Sequence, residues 1–140
     1  YSLLPALKES AFTALLYGQG NAINGTIQVL QEQLPLNYDN VKFHYFGDLD
    51  AEGISIWYSL QQKININLAL PFYQACLQEK AAKGKEYQRK NEAAIEVFVR
   101  DFAEHEKQKI IQALQEGFYY PQEILKADVL QQIWRNAVWT

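Results

Sequence analysis

Apolar positions along the 140-residue chain recur with two periods. Ile64, Ile66, Leu68 and Leu70 fall at every second position, the period of a strand, and Pro71 closes the run. Residues 41–46 have the aromatic and β-branched content of a short buried strand, and residues 11–17 form a third strand-like apolar run. Between these runs the period lengthens to that of a helix. Residues 22–34 set Ile23, Ile27, Leu30 and Leu34 on one stripe that ends before Pro35, and residues 36–40 then make a connecting loop. Residues 54–62 turn Ile54, Ile56, Trp57 and Leu60 to the core and Ser55, Gln61 and Gln62 to water. A helix over residues 2–9 opens the chain on Leu3, Leu4 and Leu7, with Ser2 as its N-cap. Residues 72–82 read as a helix, and residues 92–115 as the longest one, closed by Gly117. Residues 118–123 are a loop or short strand, and residues 124–139 a final pair of helical turns. Strands alternating with helices predict an α/β fold with a parallel sheet and right-handed crossovers.

Chemistry concentrates in one stretch, His44-Tyr45-Phe46-Gly47-Asp48-Leu49-Asp50-Ala51-Glu52-Gly53. A strand, a tight acidic turn and a helix make half of a βαβ unit, and open parallel sheets bind ligands at the carboxyl ends of their strands. One residue separates Asp48 from Asp50, so on extended backbone both carboxylates point to the same side. Two hard oxygen donors suit Mg²⁺ or Mn²⁺, with waters and a substrate phosphate completing the shell. A plainer reading stands beside this one: Asp50 caps the helix while Asp48 is a solvated turn residue. The spacing alone leaves both open.

Other candidates are weaker. Gly18-Gln19-Gly20-Asn21 marks a strand-to-helix turn but lacks the spacing of the nucleotide-binding glycine loops. His44 reads as a packed strand residue, since no second His or Cys stands near it. Glu104-His105-Glu106 falls within a helix, where adjacent residues diverge by about 100° and cannot converge on one ion, so it reads as a solvated face. Cys76 is the single cysteine, which excludes an internal disulfide and a paired-cysteine metal site; it is expected on a buried helix face.

The formal net charge of −3 is not that of a self-sufficient DNA binder. Residues 1–70 carry three Lys or Arg against six Asp or Glu, while residues 71–140 carry ten of each, so a basic surface must come from the second half or from another subunit. Lys80, Lys83, Lys85, Arg89 and Lys90 surround Gly84; the segment reads as a solvated connector or as a contact for a phosphate backbone. No apolar run approaches the roughly 18 residues of a membrane span and no signal peptide opens the chain, so it reads as cytoplasmic. With no methionine, and Tyr1 leading directly into helix-like sequence, it reads as a piece of a larger protein.

Phe46-Gly47-Asp48-Leu49-Asp50-Ala51-Glu52-Gly53-Ile54, with Ile56 following, resembles the second acidic motif of Toprim domains. It is most similar to the version in the nuclease subunits of Wadjet anti-plasmid systems (JetD), and more distantly to the A subunit of type IIB topoisomerases. The family usually has proline where this chain has Ala51, a residue that also suits a first helical turn. The resemblance extends more weakly over most of the chain. It implies a single Toprim-like catalytic domain over residues 1–140, with a Rossmannoid parallel sheet flanked by helices. It also implies Mg²⁺-dependent hydrolysis of DNA in which Asp48 and Asp50 hold the metal together with a glutamate from the first strand. That strand is expected upstream of Tyr1, and this chain alone is expected to have little activity; Glu9, at the far end of the opening helix, is the one upstream candidate present. Pro121-Gln122-Glu123 is similar to a glutamine-glutamate element of the Wadjet family, which makes Glu123 a further catalytic and metal-site candidate or, more plainly, a surface carboxylate near a helix start. The implied partners are DNA, an SMC-like (condensin-type) complex and a second copy of the chain, with no membrane. Hydrolysis needs no tyrosine nucleophile; Tyr45 is expected to be packed or to point away from the turn, and Tyr119 and Tyr120 adjoin the proline-bounded loop. The competing readings are a phosphatase with an aspartate nucleophile, whose motif normally has Thr or Val where Glu52 stands, and a non-catalytic docking module.

Overall fold

The computed structural model describes residues 3–12, 14–33, 41–84 and 89–139. The Ser2 cap, the helix end at Leu34, the loop over 36–40 and the Lys85 part of the basic segment lie outside the described residues.

Two short parallel strands form the centre of the α/β arrangement. β1 (Phe43–Tyr45) pairs with β2 (Ile66–Leu68), with Phe43 opposite Ile66 and Tyr45 opposite Leu68. The crossover between them is α2 (Ala51–Gln61), preceded in the chain by α1 (Ile23–Gln33). Ile54, Ile56, Trp57 and Leu60 of α2 are all buried, the face that the helical period assigned to the core. Ile27 of α1 packs with Ile56 and Leu60, and Phe43 and Ile66 from the strands lie against this cluster. This small sheet with helices packed on it is compatible with a Rossmannoid arrangement.

After β2 the alternating pattern gives way earlier than its apolar residues imply. Leu70 already belongs to α3 (Leu70–Cys76), with Pro71 in its first turn. Proline ends a strand, but it also fits the start of a helix, where no N–H is required. α3 stops at Cys76 rather than 82, and Lys109 donates to the carbonyl of Leu77 at its end. Ala82–Lys83 is instead a strand, β3; α4 (Glu92–Phe98) and α5 (Glu104–Gln115) follow, and then β4 (Phe118–Tyr119), which pairs antiparallel with β3. α6 (Ala127–Asn136) is the last helix, preceded by a 3-10 turn at Gln122–Ile124.

The expected single helix over 92–115 is two helices. A 3-10 turn at Val99–Asp101 leads to extended backbone at Phe102 and Ala103, and α5 restarts there. The Glu106 carboxylate accepts the Ala103 N–H at 3.0 Å and so caps α5 from its own first turn. Glu106 is therefore buried, contrary to the solvated face expected of it, while Glu104 and His105 are exposed. The break lets Phe98 and Phe102 stack at 5.7 Å and both meet Tyr73 edge-on, an arrangement that favours aromatic pairs.

The expected strand over 11–17 does not form among the described residues: 14–18 are irregular, with Leu16 and Tyr17 49% and 70% exposed. Apolar content favours a strand only where a neighbour completes its ladder. The opening helix is a 3-10 segment, Leu4–Glu9, with Ala6 fully buried. No helix among the described residues is long and apolar enough to cross a membrane.

Candidate functional site

The acidic turn is built where β1 ends and α2 begins. Asp50 has extended backbone and is the N-cap of α2, its Oδ1 accepting the Gly53 N–H at 2.7 Å. This satisfies one of the four amide groups that a helix start leaves without a partner. Helix capping is thus one role of Asp50. Gly53 has its own steric reason: a Cβ there would stand 2.0 Å from the Asp48 carbonyl oxygen and 3.2 Å from Asp50 Oδ1. The helix start is therefore seated directly on the backbone of the turn.

Asp48 is a half-buried residue with a partner distant in sequence, not simply a solvated turn residue. Its Oδ1 accepts the backbone N–H of Gln122 at 2.9 Å, and the Gln122 side-chain amide donates to the Phe46 carbonyl at 2.7 Å. One residue thus holds both the carboxylate and the strand end that precedes it. Leu49 and Tyr120 exchange backbone hydrogen bonds of 2.8 and 3.2 Å beside this contact, which fixes the register of the two segments. Glu123 follows on an exposed position of the 3-10 turn, and it lines the same cleft of about 1280 Å³ as Asp48, Asp50 and Glu52.

Two phenols brace the turn from below. Tyr73 accepts the Gly47 N–H at 2.8 Å, and Tyr45 donates to the Gly53 carbonyl at 3.0 Å. Tyr45 is packed, as its strand position implied, but its hydroxyl reaches the acidic turn instead of pointing away. Burial, reinforced by Asp50, Asp48 and Glu52, pushes the Tyr45 hydroxyl well above its ordinary range. Burial, with Tyr45 as the next contribution, does the same to Tyr73. Both phenols therefore stay protonated near neutral pH and serve as neutral hydrogen-bond partners.

Asp48 and Asp50 supply hard oxygen donors to one cleft, a set that fits Mg²⁺ or Mn²⁺, which take one or two protein carboxylates and keep several waters. Among the described residues no group of three or more His, Cys, Asp or Glu is arranged to hold a metal ion. Glu123 shares the cleft without completing such a group. Glu9 lies elsewhere, in an ion pair with Arg135 of α6, and is not among the residues lining the cleft. His44 is packed in β1, edge-on to the rings of Phe12 and Trp139. Gly18, Gln19 and Gly20 lie along the same cleft, with left-handed backbone at Gln19 and Gly20. The bracing roles of Gln122 and Tyr73 were not legible in the sequence; Gln122 had a local signal in its place beside Glu123, and Tyr73 had none.

A comparison with curated proteins finds no match, and neither does one with solved structures. The family model described as "Wadjet protein JetD, C-terminal" matches residues 2–133, and so includes the acidic turn, Gln122 and Glu123. The chain belongs to the JetD C-terminal family of Wadjet proteins.

Proposed function

We propose that this domain is the Toprim-type nuclease module of a Wadjet plasmid-defence protein, which cleaves DNA by metal-dependent hydrolysis of a phosphodiester. The reading is carried chiefly by one observation: Asp48 and Asp50, at the carboxyl end of β1, line one cleft with Glu123, and Gln122 ties the two segments together. Asp48 and Asp50 would hold Mg²⁺ or Mn²⁺, with Glu123 at the rim. The bound metal supplies Lewis-acid and water-activating chemistry. The chain's own part is to fix the carboxylates: the Gln122 N–H orients Asp48, the Gly53 N–H orients Asp50, and the two phenols hold the backbone beneath them. Water is the nucleophile. Tyr45 donates its proton to the Gly53 carbonyl, and burial raises the hydroxyls of Tyr45, Tyr73 and Tyr120 and so keeps them protonated. The domain acts within a multi-subunit defence complex of condensin type and draws part of its DNA affinity from those partners.

Titration calorimetry with Mg²⁺ and Mn²⁺ tests the reading. Asp48→Asn keeps the side chain's shape and removes its charge, so affinity is expected to fall about tenfold or more while folding changes little. Equal binding by parent and variant would overturn the metal assignment.

A further inference from the structure

A second cleft, of about 740 Å³, shares one wall with the cleft of the acidic turn. Glu52 lines both. The remaining walls are Ser55, one turn further along α2, and the entrance to α4, where Arg89 and Lys90 lie. Both cations are exposed, and neither forms an ion pair among the described residues, although Glu52 and Glu92 line the same cleft. Their backbone is anchored on the carboxyl side, because the Asn91 side chain accepts the Ala94 N–H at 3.2 Å and caps α4. α4 in turn packs on α2: Trp57 meets Phe98 edge-on at 5.6 Å. Two cations are thus held beside a turn that carries Asp48, Asp50 and Glu52.

An extended polyanion approaches such a turn more readily where fixed cationic side chains add to what a bound metal would do to offset the repulsion of its carboxylates. Lys126, exposed on the wall of the larger cleft, is a further such cation. We propose that Arg89 and Lys90 hold the DNA phosphate backbone in the second cleft. The strand then crosses the first turn of α2 and enters the larger cleft towards Lys126. The guanidinium of Arg89 suits a phosphate through paired N–H donors, and Lys90 adds a mobile point charge. With Glu52 and Glu92 on its walls the second cleft is near neutral, so an isolated phosphate gains little there while a duplex that also meets Lys126 gains from three cations.

The proposal rests on DNA being the substrate, but its test does not require cleavage. Binding of a fluorescein-labelled DNA duplex to the chain is followed by anisotropy in EDTA across a salt series. Arg89→Gln with Lys90→Gln is expected to weaken binding about tenfold and to lower the slope of log K against log salt by about 2. Arg100→Gln with Lys107→Gln removes the same charge outside both clefts and should have a much smaller effect. Equal effects of the two double variants, or no duplex binding by the parent, would overturn the proposal. A parent that binds duplex in this way but binds Mg²⁺ no more tightly than Asp48→Asn sinks the metal-nuclease reading and leaves this one standing. Cleavage by a parent whose cleft variant binds like the control does the reverse.

Discussion

Gly53 shows how much of the acidic turn depends on one missing side chain. The atom that a Cβ would meet is the Asp48 carbonyl oxygen, at 2.0 Å, and a backbone atom cannot swing aside as a flexible side chain can. Gly53→Ala is therefore expected to destabilise the fold by about 3 kcal/mol and to lower the urea midpoint. Gly25 of α1 has nothing within 4 Å of its Cβ position, so Gly25→Ala should be neutral or stabilising by up to about 1 kcal/mol. A Gly53→Ala protein as stable as its parent would refute the steric account. The motif's spacing reveals that a glycine stands three residues after Asp50; the clash that requires it exists only once α2 is seated on the turn.

At the scale of elements, helices with one continuous stripe were legible and their interruptions were not. α2 begins three residues earlier than expected, at Ala51, but its apolar stripe holds at every position, because Ile54, Ile56, Trp57 and Leu60 each pack into a buried cluster. The run over 92–115 breaks because Glu106 is more useful as a cap than as a surface residue: it takes the Ala103 N–H at 3.0 Å and lies 3.5 Å from the Gln74 amide of α3. Removing that acceptor leaves a helix-start amide without its partner. Glu106→Ala should cost about 1 kcal/mol, and Glu106→Gln, which keeps a carbonyl oxygen in place, about half as much. Chemical denaturation followed by circular dichroism measures both, and no loss in the alanine variant would mean that packing alone sets the break.

The molecule as a whole buries several groups that lose a proton in alkali. Burial first, then Asp48 and Glu79, raises the Cys76 thiol from 9.0 to about 12. Tyr45, Tyr73 and Tyr120 are raised as well, with burial again the largest cause. The folded chain then binds more protons than the unfolded chain at alkaline pH. For Cys76 this contribution is fully present below pH 9.0 and is lost as pH rises through about 12. Urea midpoints should accordingly fall between neutral pH and pH about 11, and the fall should be shallower in Cys76→Ala. An identical pH dependence in that variant would show that the thiol does not take part.

Period and composition describe neighbours in the chain, so they reach what neighbours decide: the α2 stripe, the strand character of Phe43–Tyr45 and Ile66–Leu68, the buried Cys76, and the turn that places Asp48 and Asp50 at a strand end. The strand expected over 11–17 failed because a strand requires a partner, which its own residues do not specify. The contacts that turn two aspartates into a cleft are long-range. Gly47 reaches Tyr73 across 26 residues, and Asp48 reaches Gln122 across 74. Only the tertiary structure decides such pairs, because they form when the Leu49–Tyr120 bridge and the buried core bring distant segments to one register, and no local preference encodes that register.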